Sequence, residues 1–510
     1  MGSNGKRKAI RDLIETGEME FDEGLETPGE PVETGPLDVG MLAEIREQRR
    51  KLQADPDNEL PLYRDYYKQP DLTFEQADGI LGQFEKAVAD PDAYHDEAEQ
   101  EGILDKVKSG ASCAIKIPRW FIMKPKMDDA EMAAVAKLTA DFKLGPDVKV
   151  DVAVHKFELC DPGWWRWMKA HFVGMKKWPE GLAPFLQHGG ANGTFVYADT
   201  RATKKIALMS DFGVGQYHSR AIAAQLAHQK YGHVFHLGDV YYGGTQKEFD
   251  ANYTRVLEPV MQHSLLWSLP ENHELYTGGH AFQKFLTDHR GSGPGKVHQD
   301  GSYFAVRFAN HQVVGIDANW NARQRYLKAE LRDWLDDVLD VGEKNKLTTI
   351  LLTGSGPWEY TSAKSSTLFE DLKRWTNEKR IAMWFWGNDH YCALFERDES
   401  KGSFVGSCIG HAGYPGGPMK TGEPSFVVPQ FVETEKRFPP AYKLRDDLGN
   451  NGWCELAMLP DGGVELLYVD WLGCKRHQAT YKVDVQANGG RLLELDGQPK
   501  RFTERTLAFP

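Results

Sequence analysis

At 510 residues the chain exceeds one average domain, and its 41% hydrophobic content suffices for a sizeable core. The formal charge of −13 is concentrated. Eleven acids and no base lie between Arg11 and Arg46, so the remainder is almost neutral and offers no broad basic field for nucleic acid. The six cysteines (Cys113, Cys160, Cys392, Cys408, Cys454, Cys474) are scattered without a CxxC pair, which argues against a zinc ribbon or disulfide scaffold and fits a reducing cytoplasm. Met1 to Asp12 is polar, and no apolar run approaches about eighteen residues. A standard secretion signal and a membrane span are therefore not expected.

In chain order, residues 1–60 form a Gly-, Pro- and Glu-rich acidic tail, expected to be largely disordered apart from a short helix at Met41–Lys51. It reads as a solubilising tail or as an acidic docking arm. Residues 61–200 form an N-terminal α+β region. Thr73 to Gln76 has capping-box spacing and opens a helix to about Ala89. A second helix is expected at Asp128–Phe142, and Val148–Glu158 alternates like a strand. Trp164, Trp165, Trp167 and Trp178 follow, interleaved with Arg166, Lys169, Lys176 and Lys177. They read as a docking surface for the N-terminal segment, or as a ligand or membrane surface.

Over residues 201–475 the pattern becomes strand, glycine-containing loop, helix, strand. Ile206–Ser210, a helix at Arg220–Gln229 and His233–Leu237 make a βαβ unit. Further strands are expected at Ser264–Leu269, Tyr303–Phe308, Gln312–Asp317, Thr348–Leu352 and Ile381–Trp386, with an amphipathic helix at Arg325–Asp340. Trp453–Met458, Val464–Val469 and Thr480–Val485 read as an antiparallel closing sheet; residues 476–510 form a C-terminal extension, and the last twenty-five carry no clear pattern.

The chemistry-bearing residues sit just after these strands, where open α/β sheets gather functional side chains. Asp211 follows the first strand and Asp239 the second. Asn272 and His273 follow Ser264–Leu269, and Asn388 and His390 follow Ile381–Trp386. Any one of these could be a cap, a turn or a buried histidine; four together point to a metal-binding hydrolase site. His218, His228, His233, His236, His263 and His280 read as core or surface residues.

The series Asp211-Phe212-Gly213, Gly238-Asp239-Val240-Tyr241-Tyr242, Glu271-Asn272-His273-Glu274 and Gly387-Asn388-Asp389-His390 resembles the motifs of the calcineurin-like metallophosphoesterase superfamily, nearest its purple acid phosphatase-like branch. The resemblance covers Lys204 to Tyr468. It implies a four-layer α/β/β/α sandwich flanked by the N-terminal mixed region and the C-terminal antiparallel strands, with one or two Fe, Mn or Zn ions at the strand ends. By the same resemblance Asp211, Asp239, Tyr242 and His390 would hold the first metal. Asp239 would bridge to a second, with Asn272 as a further ligand and Asn388 where the family has a histidine. His273 would donate to the leaving group. Hard oxygen donors with one imidazole suit such ions, which activate water for attack on a phosphate ester.

The chain departs from the family in three places. After Thr348–Leu352 it reads Thr353-Gly354-Ser355-Gly356-Pro357, without the expected imidazole; Asn388 replaces another; and Glu271 stands where a glycine allows a tight backbone path, so strain is expected there. Asp389, Glu271 or His411 could supply replacement ligands. Alternatively one metal serves alone, or the site is a degenerate or inactivated phosphoesterase that holds a phospho-ligand without turnover. A scaffold acting through its N-terminal region is a third class.

Overall fold

The computed structural model describes residues 39–57, 59–61, 73–89, 127–152, 182–185, 195–199, 201–291, 295–297, 299–320, 327–358, 360, 362, 364–420, 425–444 and 448–509. The acidic run from Arg11 to Asp38 and the four clustered tryptophans lie outside these residues. The chain falls into two compact units, Met1–Met123 and Lys124–Pro510.

In the first unit, helices Val39–Ala54 and Phe74–Ala89 pack against each other. Thr73 and Gln76 form the expected reciprocal cap: the Thr73 amide donates to Gln76 Oε1 at 2.8 Å, and the Gln76 amide to Thr73 Oγ1 at 3.3 Å. Between the helices, Arg49 grips Asp78 with two bonds of 3.0 and 2.9 Å and reaches Glu85 at 3.1 Å. Planar guanidinium geometry makes such a two-point grip possible.

In the second unit the strands are β1 (Val196–Ala198), β2 (Lys205–Met209), β3 (His233–His236), β4 (Leu265–Ser268), β5 (Phe304–Arg307), β6 (His311–Gly315), β7 (Thr348–Thr353), β8 (Met383–Trp386), β9 (Cys392–Phe395), β10 (Val405–Ile409), β11 (Pro429–Val432), β12 (Gly452–Met458), β13 (Val464–Asp470), β14 (Lys475–Val485), β15 (Arg491–Leu495) and β16 (Lys500–Arg501). One sheet has the order β1-β5-β6-β7-β8-β10-β9-β11. The other runs β15-β14-β13-β12-β2-β3-β4, with β16 paired to β14. The β2–β3–β4 and β6–β7–β8–β10 runs are parallel, whereas β12 to β15 are antiparallel.

Alternation along the strands decides the layering. Ile206 and Leu208 of β2 face a core shared with Ile350, Leu352, Met383 and Phe385 of the other sheet. Ala207 and Met209 face the opposite way, onto Ile222 and Leu226 of helix Tyr217–Gln229 and onto Leu257 and Phe285. On the far side, Leu351, Trp384 and Trp386 meet Leu331, Trp334, Leu335 and Val338 of helix Ala329–Lys344 and Leu372 and Trp375 of helix Thr367–Asn377. Strands buried on both faces read as continuous apolar runs, as these do. The result is the four-layer α/β/β/α sandwich, helices outside and two sheets within.

Three expectations need correction. Val148 to Val152 form no strand; Val148, Val150 and Val152 alternate because each is buried against the helical outer core, and residues 153–158 lie outside the described residues. The amphipathic helix spans Ala329–Lys344, later than its pattern suggested. The last twenty-five residues include β15 and β16, which pair with β14.

Candidate metal centre

The carboxyl ends of β2, β3 and β8 converge. The Asp211 amide donates to the Gly238 carbonyl at 2.9 Å, and the Gly213 amide to the Asp239 carbonyl at 3.2 Å, so the first two loops are laced together. The Asn388 amide donates to Asp211 Oδ2 at 2.8 Å, drawing the loop after β8 onto the same aspartate. Asp211, Asp239 and His390 thereby bring one ligand atom each within 4.8 Å of one another. Both aspartates are fully buried, and His390 is the accessible member, its side chain 31% exposed and stacked on Tyr414 with ring centres 3.7 Å apart.

The backbone there is unusual. Asp211, Asp239, Asn388 and His390 have φ of +58°, +75°, +62° and +42°. Left-handed backbone disfavours residues with a β-carbon, and Asn, Asp and His tolerate it better than most. Such outliers concentrate where surrounding structure holds them for a purpose.

The phenol that joins the cluster is Tyr241, whose hydroxyl lies 2.7 Å from Asp211 Oδ1, 3.2 Å from Asp239 Oδ2 and 2.9 Å from His390 Nε2. Tyr242, the residue implied by the motif, contributes its backbone: its amide donates to Glu248 Oε1 at 2.7 Å, and its carbonyl accepts from His273 Nδ1 at 2.6 Å. That bond fixes the His273 tautomer and leaves Nε2 as the nitrogen for other partners. The His273 amide also donates to Asp239 Oδ1 at 3.3 Å.

Burial raises the Asp211 carboxyl, but the hydrogen bond and charge of His390, helped by Tyr241 and the Asn388 amide, hold it below the ordinary range. Asp239 is pushed well above that range by burial and by the charges of Asp211, Glu274 and Glu271. Concentrated negative charge of this kind is what a cation relieves.

The donors fit one hard or borderline cation. They are the two aspartates and His390. Asn272 Oδ1, which the resemblance gives to the second ion, is buried without a hydrogen-bond partner while its Nδ2 donates to Tyr276 at 2.6 Å. An orphaned amide oxygen of this sort suits a metal. The donors do not fit the second cation implied by the resemblance. Gly354, Ser355 and Asn388 supply no imidazole, and Asn388 reaches the cluster through its backbone.

The replacement candidates go elsewhere. Glu271 is buried, its carboxylate accepting from Ser355 Oγ at 2.7 Å and from Asn319 Nδ2. Its φ of −125° is ordinary extended backbone, so the expected strain is absent. Asp389 lies outside the three-residue group; its charge is felt by Tyr391 and Cys408. His411 is buried beside Glu433, with Nδ1 lacking a hydrogen-bond partner and its pKa lowered by burial to about 4. Among the other histidines, His218 bonds the Gly413 carbonyl, His233 accepts from Trp267 Nε1 at 2.9 Å, and His236 is buried; His228, His263 and His280 are exposed.

Tyr241, Tyr414, Asn319 and Glu274 were not singled out by the sequence. A signal existed for Asn319, because Asp317-Ala318-Asn319 follows β6 much as Asp211 follows β2. Glu274 accepts from the amides of Glu271 at 2.8 Å and Asp239 at 3.2 Å, a bond that capping-box spacing could have suggested.

No protein-family model and no curated protein matches the sequence. Among solved structures, the chain is similar to a purple acid phosphatase, PPD1, from yellow lupin seeds, at 14% identity over 54% of this chain and 52% of that one, with a TM-score of 0.38. It is similar to a dimetal phosphatase from Danio rerio at 12% identity, over 53% and 96%, with a TM-score of 0.33. It is also similar to GAP50, described as the anchor in the inner membrane complex of Plasmodium, at 12% identity over 53% and 85%, with a TM-score of 0.40.

Proposed function

We propose that this chain hydrolyses a phosphate ester with the help of one bound cation, in its 201–475 segment. The supporting observation is the convergence of Asp211, Asp239 and His390, with ligand atoms within 4.8 Å, at strand ends from both sheets. Asp211, Asp239 and His390 would hold the ion, of the Fe, Mn or Zn class. When bound, such a cation supplies Lewis acidity to a phosphoryl group and to an attacking water. The residues do the rest. His273, held through Nδ1–H by the Tyr242 carbonyl, presents Nε2, which in the imidazolium form would carry the proton given to the leaving oxygen. Half-buried His390, stacked on Tyr414, would mark the side open to substrate.

A second reading has its own observation. The Tyr241 hydroxyl lies among the three ligand groups, where it could stand in for a cation and leave a degenerate phospho-ligand binder. Among the described residues no helix is long and apolar enough to cross a membrane. A cytoplasmic setting belongs to the proposal; Cys392, Cys408, Cys454 and Cys474 are buried free thiols, as a reducing compartment keeps them.

The test is metal content per chain, measured without chelator, alongside hydrolysis of generic phosphomonoesters and phosphodiesters. One ion with turnover is expected, and Asp239→Ala should lose both. Retention of metal by Asp239→Ala would overturn the site assignment. No metal and no turnover on either ester would favour the binder.

A further inference from the structure

Glu271 is 1% exposed, yet its long side chain crosses from one sheet to the other between two glycines. A β-carbon added at Gly238, which follows β3, would lie 2.6 Å from Glu271 Cβ; one added at Gly354, which follows β7, would lie 1.9 Å from Glu271 Oε2. Real β-carbons do not approach other atoms so closely, so both positions must lack a side chain while Glu271 lies there. The carboxylate is anchored by neutral donors. Ser355 Oγ donates at 2.7 Å, and Asn319 Nδ2 donates to the other oxygen while standing 3.3 Å from Ser355 Oγ. Asn319 is set in turn by its amide bond to Asp317 Oδ1 at 3.1 Å.

Gly238, Glu271, Gly354, Ser355 and Asn319 therefore form a matched set. An imidazole at position 354 and a carboxylate at position 271 exclude each other by volume, and the sequence has chosen the carboxylate. We infer that Glu271, pinned by Ser355 and Asn319, closes the place beside Asp239 where a second cation would bind, so that the chain carries a single ion. The inference rests on the one-cation reading above, and it makes Glu271 a positioning residue that fixes how many ions the site takes.

The test loads the full-length chain with Mn(II), removes free metal, and counts ions by elemental analysis together with the electron paramagnetic resonance spectrum. Two Mn(II) ions roughly 3.5–4 Å apart couple their spins, whereas one alone gives the six-line pattern of an isolated ion. Wild type should hold one uncoupled ion, as should the near-isosteric Glu271→Gln. The triple variant Glu271→Gly, Gly354→His, Asn388→His should hold two, coupled. Should that variant not fold, Glu271→Ala with free imidazole supplied in the buffer replaces it, with the same expected gain. Two coupled ions in wild type would overturn the closing role while leaving metal-dependent hydrolysis intact. No ion in wild type would overturn the one-cation reading and this inference with it. One ion in every folded variant would show that Glu271 is not what closes the place.

Discussion

Asn388 separates ligand from scaffold at the scale of one residue. Its φ of +62° and its amide bond to Asp211 Oδ2 are both backbone properties. Asn388→Ala should therefore cost about 1 kcal/mol, because alanine lacks the short polar side chain by which asparagine tolerates left-handed backbone, while Asn388→Gly should stay within about 0.5 kcal/mol of wild type. Urea unfolding would measure the difference, and metal content should be unchanged in both. Tyr241→Phe distinguishes the two functional readings. If the hydroxyl stands in for the cation, its removal should raise metal affinity; if it assists binding, affinity should fall, by about tenfold for each 1.4 kcal/mol. Titration calorimetry on wild type and variant gives the sign directly. The motif spacing identified the tyrosine pair but named Tyr242. Both phenols are buried, and which of the two reaches the aspartates is decided by the path of a loop, which residue order does not encode in any simple period. That Asp211, Asp239 and His390 come together was legible because polar residues after apolar strands gather at one end of such a sheet.

Among the elements, helix Thr367–Asn377 starts on Ser366, whose Oγ accepts from the Phe369 amide at 3.1 Å and donates to the Gly356 carbonyl at 2.8 Å. The cap thus also holds the loop that carries Ser355. Ser366→Ala should cost about 1–2 kcal/mol, seen as a lower denaturant midpoint at unchanged slope. Elements were readable wherever burial pattern and length agreed, as in β2, β3, β7 and β8. They were misread where packing imitated a period: Val148, Val150 and Val152 alternate against helices without any strand pairing. Polar stand-ins for missing partners were equally invisible. On edge strand β4, the Gln299 amide takes both the N–H of Ser268, at 2.8 Å, and its carbonyl, at 2.6 Å, as a neighbouring strand would.

Across the whole molecule, Arg476 of β14 and Glu433, just past β11, form a buried pair between the two sheets, with Nε 2.7 Å from Oε2 and both side chains 4% exposed. Burial would raise the Glu433 pKa, but the hydrogen bonds and charge of Arg476 outweigh it and keep the carboxyl below its ordinary range. A depressed carboxyl contributes stability above its unfolded pKa, about 4.3, and loses it as pH falls through the folded value. Glu433→Gln strands the guanidinium and should cost roughly 3–5 kcal/mol at pH 7. That gap should narrow below about pH 4, as chemical unfolding at a series of pH values would show, and Glu433→Gln with Arg476→Met should recover most of the loss.

The candidate ligands come from both halves of the sandwich, Asp211 and Asp239 after β2 and β3, His390 after β8 of the facing sheet. An ion gripping all three would act as a clasp across the seam. At a hundredfold over its dissociation constant it adds about 2.7 kcal/mol against any opening that parts the sheets, and nothing against fraying within one of them. Amide hydrogen exchange would then slow selectively at the shared core between the sheets, on the Ile206, Leu208, Ile350 and Leu352 side, when metal is supplied. The same atoms that prepare a reaction would set how readily the protein breathes.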